Sequence, residues 1–533
     1  MSILDRSRAV APVKFNRWLI PPAALAIHLS IGEVYAFSVF KNPLMERFDT
    51  TGTAIMVVFS IAIGMLGLSA AFGGTWVEKV GPRKTMVMAV VFWTLGWLVG
   101  ALGVATGQLW LLYFGYGGIG GIGLGLGYIS PVSTLIKWFP DRPGMATGLA
   151  IMGFGGGALI ASPLTESLLN NLATTQADAL IPTFLVIAAI HLVVMLGGAA
   201  TIRTPHPDWK PKGWTPPTRP KSELICTGNV TAHNAIRTPQ FWLLWIVLFT
   251  NITAGIGIVE NASPMIQDFF HGGAGKATAI GAGFVGMMSL CNMAGRFGWS
   301  SFSDLIGRKR IYMMYLGVGA TAYFLLARVG DHSVPVFVLL AGLILTFYGG
   351  GFATIPAYLK DIFGGLQVSA IHGRLLTAWS AAGIAGPLII NSLRDAGLRA
   401  GHEGAGLYDR PLLVMVGVLA VGFVANLLVR PVNRKWHEPE VVAPSHPDCE
   451  HVDSVDSLSA REVWAKASTP RPHPNLDKIA HALHLDNLHL RERLHISPGP
   501  HPMLPSVLAV ITVGGLVYGL AMTAMKAVTL FGG

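Results

Sequence analysis

The 533-residue chain is 52% hydrophobic and only 12% charged, against the roughly 25% charged residues of a soluble domain. That balance excludes a water-soluble globular protein. The net charge of +10 does not point to nucleic acid either, because the basic residues punctuate apolar runs instead of gathering on one soluble face.

Runs of about 20 apolar residues recur along the chain, enough helix to cross a hydrocarbon layer of roughly 30 Å. Each must be helical, because lipid offers no partner to free backbone groups. Spans are predicted near 18–40, 54–74, 85–104, 109–136, 143–169 and 181–201, then 238–260, 277–299, 311–329, 334–357, 368–392 and 410–430. A thirteenth is predicted near 505–530. The expected fold is an all-α membrane protein. The first run is as long as a full span and lacks a small-residue cleavage site, so it is expected to remain in the mature chain.

Arg6, Arg8, Lys14 and Arg17 precede the first span, Lys79, Arg83 and Lys84 follow the second, Arg203 to Lys221 follow the sixth, and Arg308, Lys309 and Arg310 follow the eighth. The positive-inside bias makes these segments cytoplasmic, with the N-terminus inside a multi-pass inner-membrane protein. Lys41, Arg47, Arg394 and Arg399 run against this tally.

Glu78, Gly81, Arg83 and Lys84 close the second span with an acid, a glycine turn and a basic pair, and Asp304, Gly307, Arg308 and Lys309 close the eighth in the same way. The two glycines are 226 positions apart, and Pro131 and Pro356, inside the fourth and tenth spans, are 225 apart. One offset serving two landmarks implies a duplicated six-helix unit. The halves are then 1–202 and 238–430, joined by a cytoplasmic loop at 203–237, which is the layout of the major facilitator superfamily. Glu78, Gly81, Arg83, Asp304, Gly307 and Arg308 read either as tight turns with basic anchors or as a gate latch, and the duplication favours the latch.

Gly117, Gly121 and Gly125 recur every four residues inside an apolar span. Without a preceding strand they cannot be a dinucleotide fingerprint, and they read as helix packing. Residues 431–504 form a polar, His- and Pro-rich tail whose histidines lack ligand spacing, so a solvated linker is preferred to a metal site. Leu476, Ile479, Leu483, Leu490 and Leu494 suggest a short amphipathic helix within it. Cys226, Cys291 and Cys449 form neither a metal motif nor a disulfide framework. No cofactor and no metal are expected.

An ionisable side chain at membrane depth is costly and marks function. Arg296 lies eight residues before Asp304, which places it roughly 12 Å from the membrane surface. Its guanidinium suits a carboxylate through two parallel hydrogen bonds, with Asn292 one turn away on the same face. The competing reading is an internal ion pair or a snorkelling arginine. His28, Glu33 and Glu260 are the candidates for carrying a proton, whereas His191 reads as a satisfied core histidine. Tyr35, Tyr128, Tyr348, Phe352 and Trp379 fall inside spans and are candidates for the walls of a substrate site.

The stretch Ile31 to Leu44, Pro211 to Pro216, Asn292 to Arg296 and Tyr348 to Pro356 together resemble the oxalate/formate antiporter family of the major facilitator superfamily over about 1–430. The last span resembles a small accessory subunit fused to a transporter. The resemblance implies alternating-access transport of small organic anions, no enzyme activity, and a substrate carboxylate on Arg296, with Asn292 matching the asparagine of lactate-carrying members. The oxalate exchanger of that family also uses an eleventh-helix lysine, and Trp379 stands at the matching position. A single buried cation suits a monocarboxylate such as lactate, pyruvate or formate, with proton symport, unless Arg374 or His372 supplies a second charge. Oxalate:formate exchange and a non-transporting sensor are the alternatives. Its expected partners are the anion, protons and the bilayer, with the chain acting as a monomer.

Overall fold

The computed structural model describes residues 5–215, 224–226, 228–270, 274–438 and a set of positions between 507 and 525. They form an all-helical bundle, with no β-strand among the described residues beyond one isolated bridge between Val10 and Thr204. Helix α1 (Ile20–Gly32) continues through a 3-10 segment, Glu33–Phe40, into a short helix, Lys41–Phe48. Then follow α2 (Gly52–Val80), α3 (Pro82–Thr106), α4 (Gly121–Trp138), α5 (Pro143–Asn171) and α6 (Gln176–Thr201). After the loop come α7 (Pro239–Phe270), α8 (Ala274–Ile306), α9 (Arg308–Val329), α10 (Val334–Phe363), α11 (Thr377–Arg399, preceded by Val368–Leu375) and α12 (Asp409–Leu428). Among the described residues, eleven helical stretches are long and apolar enough to cross a membrane. Helix α8, of 33 residues, packs among them against α5 and α10.

The repeated turns have the same backbone. Gly81 sits at φ 87°, ψ 164° and Gly307 at φ 91°, ψ 152°, a region open only to glycine without strain. Each turn starts the next helix immediately, at Pro82 and at Arg308.

Small residues set the helix spacing. A Cβ built at Gly121 would fall 2.6 Å from Met65 Cβ, and one at Gly125 2.3 Å from the Leu66 carbonyl oxygen, so the four-residue glycine stripe packs α4 onto α2. Residues Tyr113–Gly120 ahead of it form a π-helical turn.

The predicted tail lies outside the described residues from 439 to 506, including the proposed amphipathic helix and all its histidines except His437. His437 Nε2 stands 3.4 Å from Cys226 Sγ in the loop before α7. The described residues between 507 and 525 are helical. Leu508 packs over Gly197 on α6, and Gly515 over Ile160 on α5. The remaining residues of the predicted span at 505–530 lie outside the description.

Candidate functional site

Arg296 is fully buried on α8. Its Nε donates to Asn292 Oδ1 at 3.0 Å, and Nη1 donates to the Ile151 carbonyl on α5 at 3.3 Å. Nη2 is buried without a hydrogen-bond partner. No carboxylate pairs with this guanidinium among the described residues. An unpaired cation in a low-dielectric interior is a strongly unfavourable arrangement. Neither the ion-pair reading nor the snorkelling reading fits it. Asn292 Oδ1 thus holds the Nε edge of the guanidinium, away from Nη2.

Aromatic rings enclose the cation. Its Cζ lies 5.0 Å from the Phe352 ring centre and 5.7 Å from that of Phe154, distances at which ring quadrupoles attract a cation. Trp379 packs on Phe352 at 4.4 Å and on Tyr128 and Phe154 at 5.3 Å each. The Tyr35 and Tyr348 hydroxyls, from α1's extension and from α10, meet at 3.2 Å across the cluster. All seven candidate substrate residues, Arg296, Asn292, Tyr35, Tyr128, Tyr348, Phe352 and Trp379, thus converge. Phe154, not singled out from sequence, belongs with them: it sits in the run Gly153-Phe154-Gly155, a lone large ring between residues that keep helices close.

Glycine makes the room. A Cβ at Gly155 would fall 2.8 Å from Arg296 Nε, and one at Gly349 would fall 2.2 Å from the Asn292 carbonyl oxygen. Gly155→Ala is expected to push the guanidinium off its axis and raise KM about tenfold or more, with a smaller change in kcat, because misplacing a binding group degrades an oriented contact. Concentration-dependent uptake in proteoliposomes measures it; an unchanged KM refutes this packing argument.

The proton candidates separate. His28 stacks on Tyr128 at 5.3 Å, with Nε2 3.0 Å from the Tyr128 carbonyl oxygen, so it adjoins the cluster. His372 stands 6.0 Å from the same ring. Arg374 does not reach in, because it donates to the Ala232 carbonyl. Glu260 lies near the end of the apolar span Pro239–Ala262 of α7, within the electrostatic influence of Lys41. Glu33 turns away to His191 on α6, with Oε2 3.4 Å from Nε2. This corrects the reading of His191 as a satisfied core histidine: neither of its ring nitrogens completes a hydrogen bond, and what it meets is a buried carboxylate.

The duplicated acids make two contacts of one kind. Glu78, ending α2, accepts from Ser369 Oγ at 2.5 Å just before α11, and lies 3.2 Å from Lys137 Nζ. Asp304, ending α8, accepts from the Gly144 and Met145 amides, each at 2.9 Å, at the start of α5. A carboxylate there satisfies free amides and complements the helix dipole. Arg308 fastens Asp304 at 2.6 Å and Asp361 at 3.1 Å. Arg83 differs from its counterpart, donating to the Ile202 carbonyl at 3.3 Å. Each acid thus contacts a segment of the other predicted half, Glu78 just before α11 and Asp304 at the start of α5.

The Major Facilitator Superfamily model matches residues 23–298 and 277–532. The oxalate:formate antiporter of Oxalobacter formigenes is 25% identical over 377 residues, spanning 70% of this chain and 83% of that protein. Human monocarboxylate transporter 11 is 24% identical over 386 residues, 71% of this chain and 77% of its own. Among solved structures, the transporter FucP in its outward conformation superposes with a TM-score of 0.57 at 15% identity, covering 78% of this chain and all of that one. The chain is a multi-pass membrane protein that belongs to the Major Facilitator Superfamily of transporters, not an enzyme, and its sequence is similar to that of the oxalate:formate antiporter.

Proposed function

We propose that the protein carries small organic carboxylates, in particular monocarboxylates such as lactate, pyruvate or formate, by alternating access of the halves 1–202 and 238–430. The observation that carries this reading is the buried Arg296 guanidinium, unpaired among the described residues and held at its Nε edge by Asn292. A monoanion neutralises one cation, whereas a dianion leaves an uncompensated negative charge. Trp379 contributes a ring, not a charge, and Arg374 is engaged elsewhere. Similarity to an oxalate:formate antiporter and to a monocarboxylate transporter supports small carboxylates as the substrate class.

In this reading a proton accompanies the anion, and His28, beside Tyr128, is the candidate nearest the cluster. The latched end and the N-terminus face the cytoplasm of the inner membrane, Glu78, Asp304 and Arg308 act as the gate, and a single chain suffices. Uptake of labelled lactate, pyruvate, formate and oxalate into proteoliposomes is the test. Monocarboxylate entry is expected to accelerate as the outside is made more acidic, because the outer proton concentration drives symport. Oxalate exchange exceeding all monocarboxylate uptake would establish exchange of the dianion instead. A lack of counterflow with any of the four would point to a sensor.

A further inference from the structure

Apart from the Arg296 cluster, a cavity of about 150 Å³ lies between α1, α5 and α6, with Ile511 and Gly515 of the C-terminal segment along one side. Its lining is mostly apolar, including Leu29, Ile160, Ala161, Ile187 and Val194. Ile190 and Ile511, 38% and 48% exposed, place its mouth on the outer flank of the bundle, where lipid would lie.

Four polar side chains interrupt this lining: Glu33, His191, Thr165 and Ser30, whose hydroxyl donates to the Ala26 carbonyl at 2.9 Å. All are buried, Glu33 at 1% and His191 at 6% exposure. Glu33 Oε2 and His191 Nε2 stand 3.4 Å apart, a long contact, and apart from it neither carboxylate oxygen, neither ring nitrogen, nor the Thr165 hydroxyl completes a hydrogen bond. Trp93 and Trp97 back His191 at 5.9 Å each, and Tyr116 is the further titratable group beside Glu33. Buried polar atoms are nearly always satisfied, and a cluster left open around an empty space is the usual mark of a missing partner.

We propose that this cavity is a binding site for a hydroxyl-headed apolar molecule with a body about the size of one benzene ring, entering from the bilayer. The space matches an apolar cavity of roughly 150 Å³ that accommodates benzene. Glu33 and His191 present an acceptor and a donor side by side, and a hydroxyl is the group that donates to one and accepts from the other. The pair carries no net charge whichever member holds the proton, so a phosphate or carboxylate head would bring in an uncompensated charge. The occupant would wedge α1 against α5, which touch closely where a Cβ at Gly157 would fall 2.4 Å from the Gly32 carbonyl carbon. The site does not depend on which anion is carried.

The probe is 4-propylphenol, with 4-propylanisole as the matched ether that lacks the donor, titrated onto the purified full-length protein with unfolding temperature as the readout. The phenol is expected to bind saturably and raise Tm, and the ether to bind about tenfold more weakly, the worth of one net hydrogen bond. Ala161→Phe and Val194→Phe, each filling the cavity from a different helix, are expected to abolish the phenol response. Glu33→Leu keeps the space and is expected to remove the preference for phenol over ether. No saturable phenol response, equal binding of phenol and ether by the unmodified protein, or an undiminished response in a folded cavity-filling variant would overturn the proposal.

Discussion

Replacing Arg296 by Gln is expected to cut carboxylate transport at least about a hundredfold while raising the Tm of the unliganded protein. The two effects have one cause. Breaking a charge-assisted pair between a guanidinium and a buried carboxylate costs about 2–5 kcal/mol, and each 1.4 kcal/mol is tenfold in affinity. With no anion bound, the same charge has no counter-ion among the described residues, so its removal relieves the desolvation penalty of a buried ion, several kcal/mol before its hydrogen bonds and ring contacts offset part of it. Gln keeps a polar group that can still reach the Asn292 side. Arg296→Lys keeps the charge but loses the planar fork, and is expected to retain the lower Tm with most of the transport lost. Uptake in proteoliposomes and thermal unfolding in detergent are the paired measurements. A variant that transports normally would remove Arg296 from the substrate site whatever its Tm.

The second large effect concerns the hooks. Asp304→Asn weakens three contacts at once, those to the Gly144 and Met145 amides and to Arg308. Hydrogen bonds to a charged group contribute about 1.5–3 kcal/mol each, so partial loss is expected to shift the balance towards the open latch by about tenfold or more. Ser300 reports on this, being fully buried under the contact, with its Oγ 2.2 Å from where a Gly148 Cβ would stand. In a cysteine-free background carrying Ser300→Cys, labelling by a polar maleimide is expected to accelerate about tenfold when Asp304→Asn is added. Glu78→Gln, at the equivalent place, is expected to act in the same direction but less, because its cross-half contact is a single hydroxyl, Ser369. Unchanged labelling in both would mean that the hooks do not set the equilibrium.

The helices were legible because the length of each apolar run is imposed by the bilayer, independent of tertiary detail. Arg296 was legible for the same reason: a cation inside such a run has few explanations. The paired turns could be read from the spacing of Gly81 and Gly307, and they share one backbone conformation. Partners chosen by topology were not legible. The hook at Asp304 ends on backbone amides, which leave no mark in a sequence. Glu33 and His191 lie on separate helices, and nothing in either local pattern announces the other. Phe154 was passed over because a ring in an apolar helix is ordinarily packing. Only the three-dimensional approach of α5 to α8 turns it towards the cation.

The lone guanidinium also has an electrical meaning. An unloaded carrier whose reorientation sweeps Arg296 through part of the membrane field moves positive charge, at up to about 2.3 kcal/mol per elementary charge for each 100 mV crossed. With a monoanion and its accompanying proton aboard, the loaded protein carries the same single positive charge. The two strokes of such a cycle would displace equal and opposite charge, so membrane voltage would bias which way the site faces without driving net uptake.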